Sequence, residues 1–385
     1  MKLYLVKYGE ITLKGKNRRY FENRLLANIR RRIEAFDATM QFYNGRIYVS
    51  SDDERIVPVL QDTFGLVEIC PAVRVPLEME ALGEAAVKQI EALIGDSPRT
   101  FKVETRRSNK QYAHDSMEVS AAIGAYVLKH VPQVSVDVHR PDIRLEVEVR
   151  EQMYLYAACH RAVGGIPYGT AGKSVVLMSG GIDSPVAAYQ MARRGVEIVP
   201  LHFHASPFTS EMALDKVRQL VRRLGHYTGW LNFFHLNLSE AQIILRDACD
   251  ERYFTILQRR LMTRLATRLA KQKHALSLTT GENLAQVASQ TMEGIYCTNA
   301  ATDLPIFRPL ISLDKNDIVK MAKRIETFET SILPYEDCCT IFLPESVATR
   351  PKLEDVLAEE AKVDMNALEE LTWNTMVKER LEPLE

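Results

Sequence analysis

The sequence predicts an α/β protein in which a larger C-terminal domain with a parallel sheet follows two smaller α+β domains. From Ser174 onward, short apolar runs alternate with helix-like stretches, which is typical of a parallel sheet covered by helices. Before that point the strands and helices are shorter and their order is mixed. The length of 385 residues exceeds what one hydrophobic core usually serves, so two or three domains are expected.

The composition, with 46% hydrophobic and 26% charged residues, is typical of a globular protein. No apolar run approaches the roughly 20 residues that cross a bilayer, and the N-terminus lacks a signal-peptide pattern. We therefore expect a cytoplasmic protein without a membrane partner. Six cysteines are too few for a disulfide scaffold, so thiols are expected, and no Cys/His spacing predicts a metal site in the protein alone. Four cysteines are predicted to fill the core: Cys70, Cys159, Cys249 and Cys297.

Residues 1–75 are predicted to form the first α+β domain. Its predicted elements are a strand at 3–8, a helix at about 17–35, strands at 40–43 and 46–50, and a helix at about 53–64. Asn44-Gly45 between the two short strands is a strong hairpin signal.

Residues 76–165 are predicted to form the second α+β domain, and residues 164–169 look like a linker. The predicted elements are helices at 81–94 and 116–130, a strand at 100–105, and alternating strands near 134–138, 145–149 and 154–158.

Residues 170–385 are predicted to form the parallel-sheet domain. The predicted strands are 174–178, 197–203, 230–236 and 275–280, and the predicted helices are 185–194, 211–224 and one long helix at 240–271.

The first strand of this domain runs directly into Ser179-Gly180-Gly181-Ile182-Asp183-Ser184. Two glycines let the backbone bend and approach a phosphate closely. The free amides at the start of the following helix, its dipole and the two serine hydroxyls predict an anion site. Because Asp183 is itself an anion, we expect it to act through Mg²⁺ or through an orienting hydrogen bond. The alternative is an ordinary glycine turn.

This loop resembles the SGGxDS signature of the PP-loop family, whose members use ATP at its α-phosphate and release pyrophosphate. Residues 201–204, 280–291 and 305–310, with Asp314-Lys315, resemble later segments of the family. The resemblance implies ATP contacts at Leu177, Met178, Ser179, Gly180, Gly181, Asp183, Ser184, His202, Phe203, Arg259, Gly281 and Gln290. Without it, Arg259 beside Arg260 would be interpreted as a helix-surface cation, and which arginine serves the site stays open.

The segments before this domain also resemble known modules. Residues 101–110 resemble a THUMP domain, an RNA-binding module of tRNA-modifying enzymes, and residues 7–21 resemble the ferredoxin-like domain that accompanies it. Residues 1–33 carry ten basic and two acidic side chains, which fits a nucleic-acid partner as well as a solvated surface. The candidate RNA-binding residues are Lys14, Lys16, Arg18, Arg19, Arg106, Arg107 and Lys110.

Residues 334–342, with Cys338-Cys339, resemble the cysteine segment of one branch, the tRNA 4-thiouridine synthetases or tRNA uracil 4-sulfurtransferases (ThiI family). The resemblance implies an enzyme that uses ATP and Mg²⁺ to adenylate O4 of a tRNA uridine, at position 8. Persulfide sulfur supplied by a cysteine desulfurase then displaces AMP. By this resemblance Cys339 bears sulfur or acts as the reducing thiol, and Cys338 is the second candidate.

Two departures from the family pattern stand out. Some members carry a C-terminal rhodanese domain, whereas this chain stops at Glu385 and is interpreted as a short form. Sulfur would then reach Cys339 directly or through a separate sulfur-carrier protein. In addition, Glu326 stands where the family pattern has Gly in an Ile-Gly-Thr stretch, which puts the local loop geometry in doubt.

Alternative functions stay open at this point. The chain could be another PP-loop enzyme that modifies tRNA, or a THUMP RNA-binding protein with a silent ATP site. The resemblance also implies a second role, the supply of sulfur for the thiazole of thiamine, and a homodimer is a further candidate assembly.

Overall fold

We describe a computed structural model of the chain, covering residues 1–95, 97–336, 338, 341–342 and 346–384. The chain divides into two compact units, Met1–Gly165 and Ile166–Glu385. Each unit contains one sheet. None of the helices in the described ranges is long and apolar enough to span a membrane.

The first unit is a mixed α+β fold around one extended sheet. Its elements are β1 (Lys2–Tyr8), a 3-10 helix (Glu10–Leu13), α1 (Arg18–Ile33), β2 (Ala38–Tyr43), β3 (Arg46–Ser51), α2 (Ile56–Gln61), β4 (Leu66–Val75), α3 (Met79–Ile94), β5 (Arg99–Arg107), α4 (Ser116–His130), β6 (Val134–Val136), β7 (Ile143–Val149), β8 (Met153–Tyr156) and β9 (His160–Arg161). The strand order is β2-β3-β1-β4-β8-β7-β5-β6, with β9 paired to β4. Asn44 and Gly45 both have positive φ, which confirms the predicted hairpin turn.

The long strand β4 is missing from the predicted elements. Residues 66–72 pair antiparallel with β1, and residues 73–75 pair with β8, so one strand joins both halves of the unit's sheet. Each half has its own hydrophobic cluster, one around Leu25 and Ile29 and the other around Ile90 and Val119. Pro71, which cannot donate to a ladder, makes this strand hard to recognise from the sequence. The predicted domain boundary at residue 75 stays a prediction.

Cys70 and Cys159 form a disulfide, so the prediction that both are separate core thiols is wrong. Cys70 lies on β4, and Cys159 immediately precedes β9, whose pairing with β4 brings the two residues together. Glu68 has a carboxylate oxygen within 4.8 Å of both sulfurs, but the disulfide leaves no thiolate to bind a metal. Cys297 is a buried free thiol, as predicted, and Cys249 is a half-buried free thiol.

The second unit is built on a parallel sheet. Its elements are β10 (Lys173–Met178), α5 (Asp183–Arg193), β11 (Glu197–His204), α6 (Glu211–Thr228), β12 (Leu231–Asn237), α7 (Ser239–Ala248), α8 (Phe254–Gln272), β13 (Ser277–Thr279), α9 (Met292–Asn299), β14 (Ile306–Phe307), α10 (Lys315–Arg324), α11 (Phe328–Ser331), α12 (Leu353–Glu360), α13 (Met365–Trp373) and β15 (Val377–Leu381). The strand order is β14-β13-β10-β11-β12-β15. Strands β10 to β14 are parallel, which confirms the predicted sheet, and β15 adds an antiparallel edge.

The prediction of one long helix over 240–271 is wrong, because α7 and α8 are separate helices. Cys249 is extended, with φ −110° and ψ 162°, and ends α7. The Asp250 side chain then accepts a hydrogen bond from the Arg252 N–H and starts a short 3-10 turn. Short aspartate side chains that bond nearby backbone amides compete with helix continuation, which explains the break.

Candidate functional site

The strand order reverses at β10, because β11 lies on one side of it and β13 on the other. In open parallel sheets, such a reversal creates a crevice at the carboxyl ends of the strands, where ligands bind. A cavity of about 300 Å³ lies at this edge. Its lining includes the following predicted site residues: Leu177, Met178, Ser179, Asp183, Ser184, His202, Phe203, Arg259, Gly281, Gln290 and Cys338.

The loop after β10 closes on itself through its two serines. The Ser179 N–H donates to Ser184 Oγ at 2.9 Å, and the Ser184 hydroxyl donates to the Ser179 carbonyl at 3.1 Å. The Gly181 N–H donates to Ser179 Oγ at 3.3 Å. Gly180 and Gly181 form the turn and are not among the lining residues. The loop leads directly into α5, so the amides of the first helical turn follow the turn as predicted.

Asp183 is paired with two side chains. Lys315 Nζ donates to Asp183 Oδ1 at 2.5 Å, and Gln286 Nε2 donates to Asp183 Oδ2 at 3.0 Å. Lys315 begins α10, whose start is capped by the Asp314 side chain. The sequence assigns no role to Lys315, although it belongs to a segment that resembles the PP-loop family. The structure therefore adds a cation beside the predicted anion loop.

The ends of β10 and β11 form the apolar side of the cavity. His202 is buried, and its Nδ1 lies 2.9 Å from the Met178 carbonyl oxygen. Because a carbonyl can only accept, Nδ1 carries the proton and donates. Phe203 packs into the hydrophobic core of the unit, while Leu177 lies at the margin of that core. The neighbouring strand ends thus combine apolar side chains with main-chain polar groups.

Gly281 lies against the start of α5. A Cβ built on Gly281 would be 2.8 Å from the Ser184 nitrogen and 2.9 Å from the Asp183 carbonyl carbon. Only glycine permits this approach without a shift of the backbone. Gln290 is held nearby, because the Asn283 N–H donates to Gln290 Oε1 at 3.2 Å.

The structure separates the roles of two adjacent arginines on α8. Arg259 lines the cavity and forms an ion pair with Glu282. Arg260 is buried in another direction, where its Nε donates to Glu360 at 2.7 Å. Of the two residues left open by the sequence, Arg259 is therefore the one at the site.

Glu282 lines the cavity and lies in the segment 280–291 that resembles the PP-loop family, but the sequence assigns it no role. It is 3% exposed and binds both Arg259 and Arg308. Burial by itself would raise the pKa of Glu282, but the two guanidinium groups outweigh burial and lower the pKa below its ordinary value. The carboxylate is therefore charged near neutral pH.

Cys338 contributes to the same cavity. It is buried, and its carbonyl accepts a hydrogen bond from Gln242 Nε2 at 2.9 Å. A cysteine thus lines the same cavity as the Ser179–Ser184 loop. Cys339, the preferred candidate for the sulfur-bearing thiol, lies outside the described residues.

Comparisons with known proteins match this architecture along the chain. Family models match residues 3–70 (ThiI ferredoxin-like domain), 77–157 (THUMP domain) and 169–365 (Thiamine biosynthesis protein, ThiI). A protein from Thermoanaerobacter sp. (strain X514) named "Probable tRNA sulfurtransferase" is 46% identical over 94% of this chain and 95% of its own. The chain belongs to the ThiI family.

Two further relatives extend this result. A "Probable tRNA sulfurtransferase" of Caldanaerobacter subterraneus is 47% identical over 94% of this chain and 95% of its own. A solved 4-thiouridine synthetase, in complex with RNA and bound ATP, is 36% identical with a TM-score of 0.91, covering 99% of this chain and all of that one. This ThiI-family chain is an enzyme of the sulfurtransferase class, and the predicted ferredoxin-like, THUMP and PP-loop folds are confirmed.

The seven candidate RNA-binding residues of this ThiI-family chain fall into two groups. Arg18 is engaged by Glu22 and Tyr8, and Arg107 donates to the Tyr112 carbonyl at 3.0 Å. Lys14 lies over the ring of Phe21. The exposed candidates are Lys16, Arg19, Arg106 and Lys110. Their RNA contacts stay a prediction.

Proposed function

We propose that the protein thiolates tRNA, converting the uridine at position 8 into 4-thiouridine at the cost of ATP. The observation that carries this proposal is a single cavity lined by the Ser179–Ser184 loop and by Cys338. Simple ATP hydrolysis needs a phosphate-binding loop but no cysteine. Activation of the uracil by ATP followed by sulfur transfer needs both. The similar solved protein, a 4-thiouridine synthetase with RNA and ATP, supports the same substrates.

In the first step, O4 of the uracil attacks the α-phosphorus of ATP, an O–P bond forms and pyrophosphate leaves. The uracil carbonyl is a poor electrophile at C4, and AMP on O4 provides a good leaving group. The loop amides and Lys315 lie beside Asp183 at the start of α5, where they would stabilise the departing pyrophosphate. ATP would contact the predicted residues that line the cavity.

In the second step, the terminal sulfur of a cysteine persulfide attacks C4, and the C–O bond to AMP breaks. A further thiol then attacks the cysteine sulfur, which cleaves the S–S bond, releases the 4-thiouridine and forms a disulfide. We assign the persulfide to Cys339, with Cys338 as the second candidate because it lines the cavity. The donor of the sulfur is a cysteine desulfurase, acting directly or through a sulfur-carrier protein.

Mg²⁺ fits this site through Asp183. A carboxylate is a hard oxygen ligand, and it offers more acceptor positions than the two used by Lys315 and Gln286. The ion would neutralise phosphate charge when bound with ATP. On the protein side, Asp183 orients Lys315 and Gln286 toward the loop.

The decisive experiment incubates unmodified tRNA with the protein, ATP, Mg²⁺, cysteine, a thiol reductant and a cysteine desulfurase, followed by nucleoside mass spectrometry. We expect 4-thiouridine at position 8 and pyrophosphate in solution. Absence of 4-thiouridine would refute the proposal. Formation of pyrophosphate with a different thiolated or modified nucleoside would instead indicate another PP-loop tRNA modification. Absence of both pyrophosphate and a modified nucleoside would indicate a silent ATP site.

The two cysteines are separated by single substitutions. Cys339→Ser should retain pyrophosphate release and lose 4-thiouridine formation. Loss of 4-thiouridine in Cys338→Ser but not in Cys339→Ser would assign the persulfide to Cys338. Cys249→Ser is the matched control, because Cys249 is a free thiol that is not among the cavity-lining residues.

A second role in supplying sulfur for thiamine is also proposed, because the family model over residues 169–365 carries a thiamine-biosynthesis description. Passage of labelled sulfur from the persulfide to a sulfur-carrier protein would test it. A homodimer is tested separately by light scattering with and without tRNA.

A further inference from the structure

Glu282 lies between two arginines at the edge of the cavity. Its Oε1 accepts from Arg259 Nη2, and its Oε2 accepts from Arg308 Nε at 2.7 Å. The Thr280 hydroxyl donates to Oε2 at 2.8 Å as well. Both oxygens of this buried carboxylate are therefore used, and the side chain has little freedom to turn.

The three charges give the group a net positive charge. Arg259 with Glu282 alone would be neutral, and a neutral pair offers little attraction to an anion. Arg308 restores one positive charge, although it does not itself line the cavity. Arg308 is thus placed to act on a ligand in the cavity through Glu282 and Arg259.

Unused donors remain on both arginines. Arg259 Nε and Arg308 Nη2 are buried and have no hydrogen-bond acceptor among the described residues. Buried donors without acceptors are costly, and a bound anion is one way to supply the missing acceptor. Arg259 lines the cavity, so its donor is near the place where such an anion would bind.

The backbone next to Glu282 packs against the end of the Ser179–Ser184 loop. Gly281 packs on the Asp183–Ser184 backbone with no room for a Cβ. Residue 282 follows immediately, so the position of the carboxylate is set by the same contact that supports the start of α5. The arginine group and the loop are thereby held in one arrangement.

We propose that Glu282 and Arg308 are positioning residues of the nucleotide site. Glu282 fixes the orientation of Arg259 toward a phosphate group of ATP, and Arg308 keeps the group cationic. This inference depends on the proposed use of ATP in this cavity. Neither residue belongs to the ATP contacts inferred from the sequence.

The test measures the equilibrium Kd for ATP by calorimetry and the steady-state KM for ATP and tRNA in the complete thiolation assay. Glu282→Gln and Arg308→Met should each weaken ATP binding about tenfold or more, with a smaller change in the KM for tRNA. Arg308→Lys should recover part of the affinity, because it retains the charge. Each measurement is made well below the unfolding temperature of the variant.

Glu360→Gln is the matched control. Glu360 is 5% exposed and binds the neighbouring Arg260, but it is not among the cavity-lining residues. We expect this variant to unfold at a lower temperature and to bind ATP like the wild type. If Glu360→Gln weakens ATP binding as much as Glu282→Gln does, the effect is structural and the inference is overturned.

Two further outcomes also overturn the inference. The first is an unchanged Kd in Arg308→Met, and the second is tighter ATP binding in Glu282→Gln, which would mean that the carboxylate only opposes the ligand charge. If Glu282→Gln does not fold, the Kd values for ATP of Arg308→Met and Arg308→Lys decide whether the inference holds. Failure of the wild type to bind ATP would refute the proposed function itself, which separates the two failures.

Discussion

Gly281 lies so close to Ser184 that a Cβ on residue 281 would be 2.8 Å from the Ser184 nitrogen. Two loops distant in sequence thus share one close backbone contact, and one of them is the predicted phosphate loop. The contact makes the geometry of the loop dependent on a residue almost one hundred positions later in the chain.

We expect Gly281→Ala to raise the KM for ATP about tenfold or more, because the added methyl group must displace the start of α5. Pyrophosphate release at varied ATP concentration measures the change. Gly124→Ala is the control: its added Cβ meets no atom within 4 Å, and Gly124 lies within α4. Gly124→Ala should retain the wild-type KM for ATP. An unchanged KM for ATP in Gly281→Ala would contradict the proposed site.

The Asp183–Lys315 pair provides a second prediction. Lys315→Met and Asp183→Asn should each lower pyrophosphate release about a hundredfold. Lys315→Met removes a positive charge that would stabilise pyrophosphate, and Asp183→Asn removes the carboxylate that orients Lys315 and would hold Mg²⁺. The double variant should lose less than the product of the two single effects, because the side chains act as a pair. Lys320→Met, on the same helix but paired with Asp317, should change the rate less than about twofold. Full additivity would show that the two residues act independently.

His204 provides a pH-dependent prediction. Burial, with the neighbouring His202 and His235, lowers the pKa of His204 to about 4 from its ordinary 6.5. Below pH 6.5 the unfolded chain therefore binds a proton that the folded chain does not. The free energy of unfolding should fall between pH 6.5 and 4 by up to about 3 kcal/mol from this group, and then level off.

Urea unfolding of wild type and His204→Asn across this pH range measures the effect. The variant should lose less stability on acidification than the wild type. His139→Asn, at an exposed position, is the control and should follow the wild-type profile. Parallel profiles for wild type and His204→Asn would show that His204 does not cause the acid sensitivity.

Glu326 has a left-handed backbone conformation, with φ 56°. Glycine accepts this conformation without the Cβ penalty, so Glu326→Gly should be more stable than Glu326→Ala by about 1 kcal/mol. Both variants lose the ion pair between Glu326 and Arg223, so this loss cancels in the comparison. Thermal or urea unfolding measures the difference. Greater stability of the alanine variant would rule out backbone strain at this position.

Much of the site could be predicted because its signals are local. Six consecutive residues, Ser179–Ser184, specify the glycine turn and the start of α5, and the structure places this loop at the cavity as expected. Glu326 stands where the family pattern has glycine, and the backbone there is left-handed, a conformation that glycine accepts without a Cβ penalty. Local backbone requirements can be recognised from the sequence because they depend on the residue itself.

Other features could not be predicted because they depend on partners far along the chain. Arg259 and Arg260 are adjacent in the sequence, and their distant partners distinguish them: Arg259 pairs with Glu282 and Arg260 pairs with Glu360. The Cys70–Cys159 disulfide likewise depends on the pairing of β9 with β4. The interruption between α7 and α8 is absent from the predicted elements, although Asp250 carries a local signal for it.

The sequence by itself determined the order of the three domain folds, the Ser179–Ser184 loop and the family resemblance, because each follows from residue types at short spacing. Only the tertiary structure decided that Arg259 faces the cavity, that Lys315 pairs with Asp183, and that Glu282 joins two arginines. These contacts join residues from 23 to 132 positions apart. Parallel strands and their crossover helices bring such residues to one sheet edge, and no local pattern encodes which of them will meet.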